Sequence, residues 1–152
     1  MNELHIKVLR ENIDKLNLSA EWIKRSYEQT RGIEHRGNYS AEEFDKLEIL
    51  ASRYARTTDM LVNKVLRSID TVEYEDIGTI IDIMNRAEKR GLVSSAGLLR
   101  DIKDLRNSIV HEYQIAEIAG FFSGVLHYTP VLLEIIGNVN LYCKKYLADK
   151  QG

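Results

Sequence analysis

The chain contains few of the residues that cross-link or interrupt a fold. Its 152 residues include one cysteine and one proline. The single cysteine, Cys143, cannot form a disulfide within the chain, and the first residues show no secretory signal pattern, so we expect a cytoplasmic protein. Pro130 removes one backbone donor and crowds the carbonyl of Leu126, which predicts a helix kink near that point.

Neither sign of charge dominates the sequence. The formal net charge is -2, so no overall positive field attracts nucleic acid, and contact with RNA would depend on a local basic patch. The hydrophobic content of 44% suits one compact domain with a single core, which we assign to residues 1–152.

The sequence also lacks the motifs of several enzyme classes. It has no glycine-rich phosphate loop, no Cys/His metal cluster and no serine nucleophile elbow. Strand patterns and solenoid repeats are missing as well. The most apolar stretch, residues 115–136, is interrupted by Glu117, His127, Pro130 and Glu134, which is unfavourable for a membrane span. We therefore expect a soluble protein without a metal or a cofactor.

Apolar residues recur at alternating spacings of three and four, which is typical of one face of a helix. The first helix is predicted at about residues 3–30, and the second begins at a capping box of Ser40 and Glu43. This second helix should continue for roughly eight turns, to Val72, and pack against the first as an antiparallel hairpin. A third, shorter helix is predicted with Asp76 as its cap. Its predicted buried face consists of Ile77, Ile80, Ile81, Met84 and Ala87, and Gly91 should end it.

Two further helices complete the predicted fold. The fourth begins at Ser94 or Ser95 and should turn Leu98, Leu99, Ile102, Leu105 and Ile109 inward. The fifth should extend from Ile115 to Tyr146. In it, Gly120 and Gly124 leave a groove that either another core helix or a second subunit can approach. The predicted class is all-α, an up-and-down bundle of four main helices with a shorter fifth.

Reactive side chains are concentrated in the segment 104–113, which lies on the fourth helix. Arg106 offers paired hydrogen bonds to phosphate oxygens, and Asn107 offers a carboxamide beside it. The imidazole of His111 can exchange protons with attacking or leaving oxygens, and Tyr113 adds a phenol. These groups suit phosphate chemistry that needs no metal.

Basic residues extend the segment along the same helix. Arg100, Lys103 and Arg106 follow one another in helical steps, so they form a basic stripe beside the apolar face and are candidates for RNA binding. Each residue also has an ordinary structural interpretation. Arg106 could form a surface ion pair, His111 could cap the helix end, and Tyr113 could close the helix against the bundle.

The helix itself separates the two main candidates for catalysis. Five residues on an ideal helix turn through about 500°, so Arg106 and His111 point about 140° apart. Two arrangements would bring them together. Either the helix unwinds around Val110, or two copies of the chain meet across a twofold axis and build one cleft from two motifs.

The pattern Arg-Asn-x-x-x-His-x-Tyr, formed by Arg106, Asn107, His111 and Tyr113, resembles the motif of the HEPN superfamily. The tyrosine makes it resemble the HepT toxin branch in particular. The resemblance implies a HEPN-like helical bundle, a homodimer with the motif in a cleft between subunits, and a partner antitoxin that is a minimal nucleotidyltransferase. It also implies that Tyr113 is the residue to which this partner adds AMP.

Two functions follow as hypotheses. In the first, the protein is the toxin of a toxin-antitoxin pair, a metal-independent endoribonuclease with Arg106, Asn107 and His111 as catalytic residues. DNA, which lacks the 2′-hydroxyl, would not be cleaved. In the second, it is a non-catalytic adaptor subunit that binds or presents a nucleotide or other substrate for a nucleotidyltransferase.

Overall fold

The computed structural model describes residues 2–33, 38–73, 75–76, 78–111 and 118–147, except for the side chains of residues 118 and 119. Every regular element in these residues is a helix, which confirms the all-α prediction. In chain order they are α1 (Glu3–Thr30), α2 (Ala41–Asp59), a π-helical segment (Met60–Leu66), α3 (Arg67–Val72), α4 (Ile80–Lys89), α5 (Ala96–His111), α6 (Ile118–Tyr142) and α7 (Lys144–Leu147).

The first two helices pack as the predicted antiparallel hairpin. Residues progressively earlier in α1 contact residues progressively later in α2 and its continuation. Ser26 accepts from Arg53, Ser19 bonds to Thr57, and Asn12 donates to Ser68. The hairpin begins at the predicted cap, where the Ser40 hydroxyl accepts from the Glu43 amide at 3.1 Å and the Glu43 carboxylate accepts from the Ser40 amide. Each partner satisfies an amide that the helix end leaves unpaired.

The second predicted helix is interrupted in a way that the periodicity did not indicate. Between Asp59 and Arg67 the backbone follows the wider π-helical hydrogen-bonding pattern. Leu61, Val62, Val65 and Leu66 nevertheless remain buried. The apolar face of the second predicted helix therefore continues through the π-helical segment.

The prediction for the third helix was wrong at its start. Thr79, not Asp76, is the cap: its hydroxyl accepts from the Asp82 amide at 3.2 Å, and Asp82 accepts from the Thr79 amide at 2.8 Å. This reciprocal pair fixes the register of α4.

The buried face of α4 also differs from the predicted one. The buried residues are Ile83, Met84 and Ala87, while Ile81, predicted to be buried, is 51% exposed. Ile77 lies outside the described residues. At the other end, Gly91 has a φ of 77°. The Leu92 amide donates to Ala87 O and the Gly91 amide to Glu88 O, the paired bonds of a helix ended by glycine, as predicted.

The last predicted helix is divided in two. α6 ends at Tyr142, and α7 follows from Lys144 to Leu147. Residues 115–117 of the prediction lie outside the described part, and the kink at Pro130 remains a prediction. By length and composition the segment Gly120–Tyr142 could cross a membrane, a test that the core helix of a soluble protein also passes. Here α6 packs against α1, α2 and α5 and buries Phe122, Val125, Leu132 and Val139.

One glycine of α6 permits close packing against α5. A Cβ added at Gly124 would lie 3.0 Å from Cδ2 of Leu105, whereas one added at Gly120 would meet nothing within 4 Å. The groove was predicted to admit either another core helix or a second subunit. At Gly124 it admits a core helix, α5. Leu105 sits one residue before Arg106, so this contact helps to fix the segment that carries the motif.

A polar cluster joins the end of α3 to α4, α6 and α7. The Glu73 carboxylate accepts hydrogen bonds from the Tyr142 and Tyr146 hydroxyls and from Arg90 Nε at 2.8 Å. Asp70, which is 6% exposed, pairs with Arg86 and Arg90. Partial burial by itself raises the pKa of Glu73, but the hydrogen bonds from the two tyrosines and the charge of Arg90 outweigh it, so the net pKa is lowered.

The lowered pKa of Glu73 predicts a loss of stability in acid. A carboxyl whose pKa is lower in the folded than in the unfolded state contributes stability above the unfolded pKa, and that contribution is lost as the pH falls through the folded pKa. Glu73→Gln should cost about 2 kcal/mol at neutral pH and flatten the decline in stability below about pH 5. Urea midpoints measured from pH 7 to pH 3 test this. The exposed Glu11→Gln is the control, and equal pH profiles for wild type and Glu73→Gln would contradict the assignment.

Candidate functional site

The helix that carries the motif is anchored at several points before the motif begins. The Ser95 hydroxyl accepts from the Leu98 amide at 3.1 Å, so Ser95 is the cap, one of the two predicted. The Glu88 side chain accepts from the Ala96 amide and ties the start of α5 to α4. One turn before the motif, the buried Tyr54 hydroxyl donates to Ile102 O at 2.8 Å. These bonds fix the axis and rotation of α5 relative to α2.

The predicted inward face of α5 is largely correct. Leu99, Ile102 and Ile109 are buried, and Leu98 and Leu105 pack against the core from partly buried positions. The rotation set by these residues leaves Arg106 and Asn107 partly exposed and His111 exposed. The polar members of the motif that the structure describes therefore lie at the solvent side of the helix.

Arg106 is held by a carboxylate that the sequence analysis did not identify. Its Nη2 donates to Oδ2 of Asp59 at 2.8 Å, and its Nε lies 2.7 Å from Oδ1. The side chains of Arg106 and Asp59 are 21% and 35% exposed. Asp59 is the last residue of α2, directly before the π-helical segment. No local pattern marks it, because only the packing of α2 against α5 brings together residues 47 positions apart.

The guanidinium of Arg106 retains donors for a ligand. Nη1 donates to the Asn107 carboxamide oxygen at 3.2 Å, so the two adjacent motif residues are joined. A guanidinium has five N–H donors, two on each Nη. Within the described residues the second N–H of each Nη has no acceptor. A phosphate could therefore bind at the outer edge of the guanidinium while Asp59 holds its inner edge.

His111 stands apart from Arg106 within the chain. It is the last residue of α5 and is exposed, and its ring forms no hydrogen bond, ion pair or aromatic contact with the residues that the structure describes. Asn107 lies four residues earlier and so on the same helix face, whereas Arg106 points about 140° away. Because α5 remains helical through His111, the arrangement in which the helix unwinds around Val110 is wrong. Of the two predicted arrangements, the cleft built from two chains across a twofold axis therefore remains.

The remaining candidate residues differ in their exposure, and some lie outside the described part of the chain. Arg100 is exposed and Lys103 partly exposed, and neither pairs with a carboxylate among the described residues. Asp101 and Asp104, both exposed, lie on the same helix and reduce its net positive charge. Tyr113 and Glu112 lie outside the described residues. The described part of the chain contains no group of three His, Cys, Asp or Glu residues placed to hold a metal ion.

Comparisons with known proteins add no relative on which to base a function. No protein-family model, no curated protein and no solved structure matches the chain. The resemblance to HEPN proteins therefore rests on the four motif residues and on the helical character of the chain.

Proposed function

We propose that the protein is a metal-independent endoribonuclease of HEPN-like fold, acting as the toxin of a toxin-antitoxin pair. The observation that supports the proposal is the placement of Arg106, Asn107 and His111 on one helix, each at least partly exposed. Arg106 is held by Asp59 and is joined to Asn107 by a hydrogen bond. A purely structural ion pair would need neither the adjoining carboxamide nor an exposed imidazole five residues later.

In the proposed reaction His111 accepts the proton of a ribose 2′-hydroxyl. The freed oxygen attacks the adjacent phosphorus, and the bond from phosphorus to the 5′-oxygen breaks. That oxygen leaves as a hydroxyl after it takes a proton from water, and the protonated His111 returns its proton to the solvent. The products are a 2′,3′-cyclic phosphate and a 5′-hydroxyl end. Arg106 stabilises the negative charge that grows on the phosphate oxygens, and Asn107 orients the phosphate or the imidazole.

The geometry of α5 requires two chains for this reaction. Since Arg106 and His111 diverge on one continuous helix, we propose a homodimer in which Arg106 of one protomer faces His111 of its partner. Val110, which is 50% exposed beside His111, provides apolar surface for such a contact. The dimer should be present at micromolar concentration, and sedimentation velocity measures it.

The proposal is tested by RNA cleavage in the presence of EDTA. Labelled RNA should be cut and should yield cyclic phosphate ends, while the same sequence carrying a 2′-deoxy substitution at the cleaved position should stay intact. Cleavage that stops when EDTA is added, or that continues at the 2′-deoxy position, would reject the mechanism.

The ion pair between Arg106 and Asp59 is the observation that favours the second candidate. A guanidinium engaged by a carboxylate is a weaker phosphate ligand, as suits an adaptor subunit that binds a nucleotide for a partner nucleotidyltransferase. Asp59→Asn distinguishes the two functions. If Asp59 positions Arg106 for catalysis, the variant should lower kcat with little change in KM. If Asp59 only weakens binding, the variant should bind RNA more tightly and cleave none.

Tyr113 is proposed as the acceptor of AMP from a partner nucleotidyltransferase supplied with ATP and magnesium. The added phosphate and adenosine would occupy the cleft and pair with Arg106, so modification should silence the toxin. Tyr113→Phe should keep toxicity and escape neutralisation. Intact-protein mass spectrometry should show added AMP on wild type and on the control Tyr128→Phe, and an equal mass gain on Tyr113→Phe would refute the assignment.

A further inference from the structure

A cavity of about 400 Å³ is lined by residues of α1, α2 and the first residue of the π-helical segment. Its volume falls in the range of small-molecule sites, roughly 300–1,000 Å³. Both apolar and charged residues form its lining, which consists of Lys15, Leu18, Ser19, Trp22, Arg53, Arg56 and Met60. None of the residues proposed above for catalysis is among them.

Trp22 is the only tryptophan of the chain, and 49% of it is exposed at this cavity. Its position is fixed by Arg53, whose Nη1 donates to Trp22 O at 3.1 Å and to the Ser26 hydroxyl at 2.6 Å. The Arg53 guanidinium carbon lies 5.1 Å from the centre of the indole ring. A large exposed aromatic ring is therefore held in place from one side, with much of its surface open to a ligand.

The charges around the ring have one sign. Lys15, Arg53 and Arg56 line the cavity, no acidic residue does, and none of the three pairs with a carboxylate in the part of the chain that the structure describes. This is notable in a chain whose net charge is -2. An exposed aromatic ring surrounded by unpaired cations suits a ligand that is both aromatic and anionic, and single-stranded nucleic acid has both properties.

The cavity is also close to the proposed catalytic residues. Met60, which lines the cavity, directly follows Asp59, which holds Arg106. The cavity and the Asp59–Arg106 pair therefore meet at the start of the π-helical segment.

We propose that this cavity binds one unstacked base and the neighbouring phosphates of a single-stranded RNA. Trp22 stacks on the base, while Arg56 and Lys15 contact phosphate oxygens. The inference rests on the proposed function for RNA as the ligand. A second copy of the chain is disfavoured as occupant. A twofold contact centred on this cavity would bring the three cations of one copy against the same three cations of the other, and like charges repel.

The test measures binding separately from cleavage. A labelled single-stranded RNA of about eight nucleotides is titrated into His111→Ala protein, and RNA anisotropy and Trp22 fluorescence are followed together. Binding should quench the fluorescence, because the only tryptophan lies at the site. AMP alone should bind far more weakly than the RNA, since it supplies a single phosphate. AMP that binds as tightly would assign the cavity to a free nucleotide and overturn the RNA assignment.

Variants locate the site. Trp22→Ala should weaken binding by roughly tenfold or more, while Trp22→Phe, which keeps a ring, should retain most of it. Arg56→Ala should weaken binding and lower the slope of log affinity against log salt by about 0.7. Lys24→Ala, an exposed lysine on α1 outside the cavity, is the matched control for charge. Thermal melting verifies that each variant is folded.

The outcomes separate the two proposals. Unquenched fluorescence, equal losses in Arg56→Ala and Lys24→Ala, or quenching that accompanies dimer formation without RNA would overturn the RNA site. If Trp22→Ala binds and cleaves RNA as well as the wild type does, the RNA site is also overturned. The proposed ribonuclease function would not be affected by that result. Binding with the expected variant pattern, but without cleavage by the unmutated protein, would support the site and reject the ribonuclease.

Discussion

His111→Ala and Arg106→Ala are each expected to lower the rate of RNA cleavage by about 10²-fold or more while the protein stays folded. The size follows from the proposed roles, because proton transfer by a positioned side chain contributes about 10²–10⁴-fold and a charge-stabilising group about 10²–10³-fold. The side chain of His111 is exposed and forms no hydrogen bond or ion pair with the described residues, so its removal should change the melting temperature little. Arg106 loses its pair with Asp59, and its removal should cost about 1 kcal/mol.

The control for these variants is His127→Ala, which removes an exposed histidine on α6. It should cleave RNA at the wild-type rate. In cells, His111→Ala and Arg106→Ala should abolish toxicity on expression. Retained toxicity in either variant would reject the ribonuclease, and loss of folding in His111→Ala would make that residue a structural cap instead.

Mixing the two inactive variants tests the composite cleft. If Arg106 of one protomer serves His111 of its partner, a mixed dimer has one cleft with both residues intact and one with neither. After random reassortment about half of the dimers are mixed, so about a quarter of the wild-type rate should return. A mixture that stays inactive, although subunit exchange is verified, would contradict the twofold arrangement.

Phe122→Ala is expected to produce the largest loss of stability, about 3–5 kcal/mol. Phe122 is fully buried near the start of α6, and its ring meets Tyr39 and Phe44 edge to face at 5.7 and 5.6 Å between centroids. Such ring pairs add about 0.5–1.5 kcal/mol each to the burial term. Truncation would therefore empty a cavity and remove two ring contacts that tie α6 to the beginning of α2.

The neighbouring Phe121 provides the matched control. It is partly exposed, so Phe121→Ala should cost much less, about 1–2 kcal/mol or below. Urea unfolding of both variants measures the difference. Equal losses would mean that the Phe122 site collapses after truncation, or that the ring contacts contribute little.

The all-helical character, the first helix, the Ser40 cap and the glycine stop after α4 were predictable because each depends on neighbouring residues. A helix face repeats every three to four residues, and caps and stops bind amides or carbonyls within one turn. The same reasoning failed at α4, where both Asp76 and Thr79 are suitable caps. In the structure Thr79 and Asp82 form the reciprocal cap bonds, and Ile81 is exposed while Ile83, Met84 and Ala87 are buried.

The sequence by itself determined that Arg106, Asn107 and His111 share one helix, and that this helix separates Arg106 from His111 by about 140°. Only the tertiary structure decided that Asp59 holds Arg106, and that Trp22 and its cations surround one cavity. These groups lie on helices joined by long stretches of chain, so their contacts depend on how the helices pack and rotate. That rotation is fixed by the buried side chains and by bonds such as the one from Tyr54 to Ile102, which no local pattern encodes.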